Sequence, residues 1–167
     1  RERFVIFPDE FHVSKSMRKY FRKHRITVAI NRDFKDTVRR CRAKREDKEG
    51  TWISDEIEDA YFELYKKGFA LSVEAFEDGE LAGGFYGVAI GTCFFGESMF
   101  SEKTNGSKTA LITFSEYIKN RGIRFIDCQF RTDHLASMGG RYISWEEYDA
   151  MLESGPGRSR VKEVTND

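Results

Sequence analysis

The stretch from Gly83 to Phe100, GGFYGVAIGTCFFGESMF, decides how the rest of the chain is organised. It is apolar and rich in glycine, in a chain where 34% of the residues are charged. Glycines inside a strand-like run indicate bulges, or points where a ligand or another backbone comes close. The one carboxylate of the stretch, Glu97, is costly to bury unless it is paired or used. The stretch therefore predicts either a central hairpin with packing glycines and a half-exposed Glu97, or a functional site in the middle of a sheet.

The segments on either side of this stretch carry strand and helix patterns. An Asp78-Gly79 pair between two apolar runs predicts a tight β-hairpin. The predicted strands cover residues 26–30, 69–76, 80–90, 92–100 and 125–130. The predicted helices cover residues 15–24, 33–45, 55–67, 107–121, 132–138 and 145–153, with N-caps at Ser14, Ser54, Ser107 and Ser144. Strands and helices alternate without a strict βαβ rhythm, so we predict an α+β fold, a mixed and mostly antiparallel sheet flanked by helices.

Length and composition predict one domain. The chain has 167 residues and 40% hydrophobic content, which fits a domain over residues 1–153 followed by a tail, 154–167, that is expected to be flexible. No run of about 18 apolar residues occurs, so no membrane association is expected. The first residues show no signal-peptide pattern, which favours the cytoplasm. The three cysteines and three histidines lie in no metal-ligand spacing, so neither a metal site nor a disulfide framework is expected.

The formal net charge of zero conceals two opposite halves. Residues 1–50 carry a net charge of +8, and residues 51–167 carry −8. A basic segment beside an acidic one favours a polyanionic partner and a cationic one, although both surfaces could simply be solvated. The predicted phosphate-binding side chains lie on the two basic helices, 15–24 and 33–45: Arg18, Lys19, Arg22, Arg39 and Arg40.

Several motifs together resemble one family, the leucyl/phenylalanyl-tRNA–protein transferases. They are Thr51-Trp52-Ile53, Ser72-Val73-Glu74, Gly83-Gly84-Phe85-Tyr86-Gly87-Val88, Gly96-Glu97-Ser98-Met99-Phe100-Ser101, Ser107-Lys108-Thr109-Ala110-Leu111, Ile126-Asp127-Cys128-Gln129 and His134-Leu135-Ala136-Ser137-Met138-Gly139. The resemblance implies a fold like that of the acyl-CoA N-acyltransferases (GNAT-like). It implies transfer of Leu or Phe from tRNA to the N-terminal amine of proteins that begin with Lys or Arg, which marks them for degradation. Aminoacyl-tRNA is then a substrate, the acceptors are proteins or peptides with destabilising N-termini, and no cofactor is expected.

The resemblance also assigns residues to the site. It implies that Gln129 contacts the attacking amine while Asp127 orients or relays, and alternation in a regular strand would put both on one face. Glu97 would contact the amino group of the donor or the floor of its pocket. The implied lining of the donor pocket is Met99, Phe85, Leu111, Ile126 and Ser98. Alternation puts Ile126 opposite Asp127, so both can line the site only if the strand ends or bulges there. Trp52 is predicted either to stack on the terminal adenine of the tRNA or to pack in the core.

The chain departs from the family pattern at a few points. Family members usually carry an additional N-terminal region that helps to hold the tRNA 3′ end, and that region is expected to be absent here. Leu71 and Phe76 stand where His and Trp are usual, and Phe85 stands where Met or Leu is usual. Gly106 and Gly140 replace common alanines. We therefore expect a donor pocket of different size and a smaller tRNA footprint.

Three other functions are compatible with parts of the sequence. An acyl-CoA-dependent acetyltransferase would need an Arg/Gln-x-x-Gly-x-Gly loop before a helix, and the chain instead has Asn105-Gly106-Ser107-Lys108. A non-catalytic tRNA- or degron-binding module is favoured by the basic helices and by the expected absence of the N-terminal region, whereas Asp127, Gln129 and Glu97 argue against it. The same chemistry could also act on acidic N-termini, Asp or Glu, instead of basic ones.

Overall fold

The computed structural model describes residues 2–49 and 54–153 of the chain. Its strands are β1 (Glu2–Ile6), β2 (Ile26–Ile30), β3 (Ala70–Glu77), β4 (Glu80–Ile90), β5 (Cys93–Ser101), β6 (Phe125–Gln129) and β7 (Arg141–Ser144). Its helices are α1 (Lys15–Lys23), α2 (Phe34–Glu49), α3 (Asp55–Lys66), α4 (Gly106–Ile118), α5 (Asp133–Ser137) and α6 (Trp145–Glu153). A short 3-10 turn, Pro8–Glu10, follows β1.

The strands of the described residues form one sheet in the order β2-β3-β4-β5-β6-β1-β7. Every neighbouring pair is antiparallel except β5 and β6, which run parallel and are connected through α4. The predicted hairpin joins β3 to β4, and Asp78 and Gly79 have φ angles of 51° and 88°, as a two-residue turn of this kind requires. The predicted α+β class, with a mixed and mostly antiparallel sheet flanked by helices, is confirmed.

Alternate residues of the central strands pack on two faces of the sheet. On one face, called the α4 face, Leu71, Val73 and Phe85 pack with the apolar side chains of α4. On the other, called the α2 face, Tyr86 and Val88 pack with α2 and α3. A third cluster, on the α2 face at the β1–β7 end, contains Val5, Cys93, Phe125, Ile143, Tyr148 and Met151. The sheet therefore separates two distinct environments, and the position of each site residue depends on its face.

The two basic helices pack on different faces. Arg18 and Phe21 of α1 line a groove with Ile112 and Glu116 of α4. The apolar side of α2, which includes Val38, packs with α3 on the α2 face. The cations of α1 and α2 therefore do not share a face of the sheet.

The start of α4 differs from the prediction. Its N-cap is Asn105, in the left-handed conformation with φ 67°, and Ser107 lies within the first turn. The side chain that caps the first turn belongs to Ser101 of β5, whose hydroxyl oxygen accepts a hydrogen bond from the backbone N–H of Ser107 at 2.9 Å. A Cβ at Gly106 would overlap the carbonyl oxygen of Ala82. Glycine at position 106 thus lets α4 begin directly against β4.

The other predicted helix caps are confirmed. The side chains of Ser14, Ser54 and Ser144 accept hydrogen bonds from the backbone N–H groups of Met17, Ile57 and Glu147. The end of α4 was placed too far along the chain, because the helix ends at Ile118 and turns follow it to Gly122, which has φ 83°. Within residues 2–49 and 54–153, no helix is both long and apolar enough to cross a membrane.

The sequence did not predict β7. Its four residues pair antiparallel with β1, from Glu2 opposite Ser144 to Val5 opposite Arg141. The strand has only four residues, Arg-Tyr-Ile-Ser, and only Ile143 is buried. So short a segment carries no clear alternation of apolar and polar residues. The strand depends on a partner at the other end of the chain, which local patterns cannot reveal.

Candidate active site

The candidate site lies where two neighbouring strands separate. β5 and β6 pair only from Cys93–Phe95 to Phe125–Asp127. On its other side β5 shifts register against β4, because Gly87 pairs with Gly96 while Tyr86 pairs with Ser98. Glu97 is thus an extra residue in β5, a bulge of the kind that re-aims side chains beside active sites.

A cavity of about 210 Å³ opens beside this separation. Its lining includes six residues that the sequence analysis assigned to substrate binding: Phe85, Glu97, Ser98, Met99, Leu111 and Ile126. The other lining residues are Phe94, Gly96, Cys128, Phe130, Thr132, His134 and Leu135. The lining is mostly apolar, so the cavity suits an uncharged aliphatic or aromatic group.

Some of the lining residues could have been found from sequence and others could not. Ile126 and Cys128 both line the cavity, as alternation along β6 requires. Phe94 lies two residues before Gly96 on the same side of β5. His134 and Leu135 belong to a motif that was noted but given no role. Phe130, which is 75% exposed, follows β6, and a regular strand over the predicted residues 125–130 would already place it on this side.

Asp127 does not line the cavity. It is fully buried on the α2 face, between β5 and β1. Its Oδ2 accepts hydrogen bonds from the guanidinium of Arg3 at 2.5 Å and from the hydroxyl of Tyr148 at 2.6 Å. The conflict noted in sequence between Ile126 and Asp127 is therefore settled in favour of Ile126 as the cavity residue.

Gln129 connects Asp127 to the strand separation. It ends β6 in the left-handed conformation, with φ 68°, which is uncommon for a residue other than glycine. Its backbone N–H donates to Oδ1 of Asp127 at 2.8 Å, and its side-chain amide donates to the carbonyl of Gly96 at 3.1 Å. Strand alternation does not describe this pair, because the link between the two residues runs through the backbone of Gln129.

The titratable groups around Asp127 respond to burial and to its charge. Burial lowers the pKa of the Arg3 guanidinium, but the hydrogen bond and charge of Asp127 outweigh it, so the pKa lies above its usual value. Burial, and then Asp127, raise the pKa of the Tyr148 hydroxyl. Burial is also the first cause that raises the pKa of Cys128 to about 12, with Asp127 second. Cys128 is therefore a neutral thiol near pH 7 and is unsuited to act as a nucleophile.

Glu97 lines the cavity from the bulge in β5. The bulge breaks the alternation that would have placed it on one face with Met99, although both residues line the cavity. Tyr61 of α3 is hydrogen-bonded to Glu97, and burial followed by this contact raises the pKa of the Tyr61 hydroxyl. The carboxylate is half-buried and paired, which lowers the cost of its position.

The remaining predicted site residues lie away from the cavity. Arg18, Lys19, Arg22 and Arg39 are exposed. Arg40 is ion-paired with Asp36 at 2.7 Å and with Glu102 at 3.2 Å. Trp52 lies outside the described residues. Among the residues that the structure describes, no group of three or more His, Cys, Asp and Glu could hold a metal ion.

Comparison with solved structures concerns the fold alone. A conserved protein of unknown function from Bacteroides thetaiotaomicron superposes with a TM-score of 0.51 at 11% sequence identity. The match covers 93% of this chain and 55% of that one. The arrangement of strands and helices thus occurs in a protein of very different sequence.

Comparison of sequences identifies the family. The model of the family described as leucyl/phenylalanyl-tRNA protein transferase matches residues 5–153. Two proteins named leucyl/phenylalanyl-tRNA–protein transferase, from Pseudomonas fluorescens and Pseudomonas entomophila, are 49% and 46% identical to this chain over 146 residues. These matches cover 87% of this chain and 65% of each relative, so the chain spans just under two thirds of their length. The chain belongs to the leucyl/phenylalanyl-tRNA–protein transferase family.

Proposed function

We propose that the chain transfers leucine or phenylalanine from aminoacyl-tRNA to the N-terminal amine of proteins that begin with Lys or Arg, and that this marks them for degradation in the cytoplasm. The observation that carries the proposal is the apolar cavity at the separation of β5 and β6. Six residues that the family resemblance assigns to the substrate line it. The name of the family to which the chain belongs supports the same activity.

The proposed reaction is the aminolysis of an ester. The neutral acceptor amine attacks the carbonyl carbon of the aminoacyl group. The new C–N bond forms, the bond from that carbon to the ribose oxygen of the tRNA breaks, and the proton lost by the amine ends on that oxygen. An α-amine has a pKa of about 7.7–8.0, so a useful fraction is neutral near pH 7. Because the ester is already activated, the proposed reaction needs no metal or cofactor.

The donor side chain enters the cavity in this proposal. Phe85, Met99, Leu111 and Ile126 would contact it, and the flexible thioether of Met99 suits both leucine and phenylalanine. Glu97, at the bulge, would bind the ammonium group of the donor. These roles place the ester near Gly96, where the side-chain amide of Gln129 is held.

The acceptor amine would approach Gln129 at the strand separation. An amide is a poor base, so its role is to orient the amine, and orientation is a large part of catalysis in reactions of this kind. The exposed Arg18, Lys19 and Arg22 would bind tRNA phosphates from α1. The exposed Arg39 would contribute from α2, whereas Arg40 would first have to leave its two carboxylates.

A transfer assay tests the proposal. Radiolabelled Leu-tRNA and Phe-tRNA are supplied separately with peptides that begin with Arg, Lys, Asp, Glu or Ala. Label on Arg and Lys peptides is the expected result, and Gln129→Ala should reduce it. Label only on Asp or Glu peptides would keep the chemistry and overturn the proposed acceptor. Retention of tRNA on a filter without any transfer would refute the enzyme and favour a binding module.

A further inference from the structure

The buried carboxylate of Asp127 is held from three parts of the chain. Arg3 of β1 and Tyr148 of α6 donate to Oδ2, and the backbone N–H of Gln129 donates to Oδ1. The hydrogen bonds from Arg3 and Tyr148 are short, at 2.5 and 2.6 Å, as expected for hydrogen bonds to a carboxylate ion. Asp127 has no exposed surface. None of the three donors to its carboxylate belongs to a residue that lines the cavity.

This geometry separates Asp127 from the place where an amine would lose its proton. The cavity lies on the α4 face and is lined by Ile126 and Cys128, while the carboxylate lies on the α2 face. A general base must come within hydrogen-bond reach of the proton, or reach it through one water. A carboxylate enclosed behind its own strand, with both oxygens bonded, does not meet that condition.

What Asp127 does reach is the backbone of Gln129. Its Oδ1 fixes the N–H of a residue in the left-handed conformation, and that conformation sets where the side chain points. The side-chain amide then bonds to Gly96 across the gap between β6 and β5. The carboxylate is thus one end of a chain of contacts whose other end lies at the strand separation.

We propose that Arg3 and Tyr148 are positioning residues, which hold the Asp127 carboxylate so that it fixes Gln129 at the strand separation, and that Asp127 does not accept the amine proton. This inference rests on the proposed function. It assigns a role to two residues that lie outside the cavity and contact no substrate.

The charged and titratable groups that interact with Asp127 come from four elements. They are Arg3 of β1, Tyr148 of α6, Cys93 of β5 and Cys128 of β6. Arg3 carries the opposite charge, and the other three are neutral near pH 7. None of these groups changes its charge while an acceptor α-amine titrates, so the pH dependence of transfer should belong to the amine.

The test compares Tyr148→Phe with Tyr142→Phe. Tyr142 lies on β7, is 47% exposed and packs edge-on against Phe4, so its variant is a matched loss of a hydroxyl that is not one of the three donors to Asp127. We expect Tyr148→Phe to lower kcat about tenfold, as loss of a hydrogen bond to a charged group does, with KM for Leu-tRNA unchanged. The midpoint of the pH profile for an Arg peptide should stay where it is in the wild type. Tyr142→Phe should keep the wild-type kcat.

Variants of Arg3 extend the test. Arg3→Met should lower kcat as well, and Arg3→Lys should restore part of it, because a lysine keeps the charge without the fork of donors. A pH midpoint that moves in Tyr148→Phe would show that the carboxylate takes part in the proton transfer and would overturn the proposal. Wild-type kcat in both Tyr148→Phe and Arg3→Met would overturn it too.

A second measurement separates this inference from the proposed function. The backbone amide proton of Gln129, observed by NMR, reports its bond to the carboxylate whether or not transfer occurs. It should move clearly more in Tyr148→Phe than in Tyr142→Phe, whose ring touches Phe4, the partner of Gln129 on β1. Absence of transfer in the wild-type protein would refute the function alone, while an unmoved resonance in Tyr148→Phe would refute the positioning role.

Discussion

Replacement of Phe85 by leucine should change which donor the cavity prefers. The Phe85 ring is 3% exposed on the α4 face and lines the cavity. It packs edge-on against Phe94 and Phe114, with ring centroids 5.9 and 5.3 Å apart. Phe85→Leu removes three carbons and leaves that space open to the donor. A phenylalanyl donor can use this space and a leucyl donor cannot.

The magnitude follows from the same contacts. At about 0.8 kcal/mol per buried methylene, the substitution should lower the free energy of unfolding by roughly 2–3 kcal/mol. In a domain of this size that corresponds to a fall in Tm of roughly 4–12 °C. Discrimination in an apolar pocket is about 1–3 kcal/mol per methylene, so the ratio of kcat/KM for Phe-tRNA over Leu-tRNA should rise about tenfold or more.

The assay measures transfer from each donor to one Arg peptide and compares Phe85→Leu with Phe100→Leu. Phe100 is 2% exposed but packs on the α2 face, away from the cavity. Both variants should lose stability, and only Phe85→Leu should change the donor ratio. An unchanged ratio in Phe85→Leu, or an equal change in both variants, would refute the placement of the donor side chain in this cavity.

Other predictions concern stability and tRNA binding. Gly106→Ala should lower the free energy of unfolding, measured in urea, by about 1–3 kcal/mol. The added methyl group would overlap the carbonyl oxygen of Ala82 in β4, so this backbone does not accept the alanine that is common in the family. Burial, and then Lys108, lower the pKa of His134, so the unfolded chain binds more protons as the pH falls below about 6.5 and stability is lost. His134→Asn should therefore lose less stability than the wild type between pH 7 and pH 5.5, whereas an equal loss in both would exclude His134 as the cause. A plot of the logarithm of the tRNA association constant against the logarithm of salt concentration should be less steep in Arg18→Gln, by about 1, the change expected for the loss of one phosphate contact. Arg40→Gln should change this slope less, because Arg40 is already paired with two carboxylates.

Features set by neighbouring residues could be predicted from the sequence. The Asp78-Gly79 hairpin, the caps at Ser14 and Ser54, and the alternation of Ile126 and Cys128 depend on residues within a few positions. Local backbone preferences and the strand period of two are sufficient for these. Six residues of the cavity lining were predicted because they lie in motifs that resemble a family. The apolar character of most of them would alone have indicated an ordinary core.

Features set by distant partners could not be predicted. The hydroxyl at the start of α4 belongs to Ser101 of β5, and Ser107, the obvious candidate, is not the cap. The bulge at Glu97 arises from the register between β4 and β5. The ion pair of Asp127 joins it to Arg3, 124 residues earlier in the chain. Contacts of this range follow from the topology of the sheet, which no single segment specifies.

The environment of Asp127 favours a functional explanation over a structural one. Its neighbours in the third cluster are apolar, among them Val5, Phe125 and Ile143. Removing an ion from water costs several kcal/mol even after relaxation, and a buried ion pair often contributes no more stability than apolar side chains of the same volume. Packing alone therefore gives no reason for an Arg3–Asp127 pair here. The bond from Asp127 to the backbone of Gln129 does give one, because an apolar side chain could not accept that hydrogen from the adjacent turn and hold the amide at the edge of the cavity.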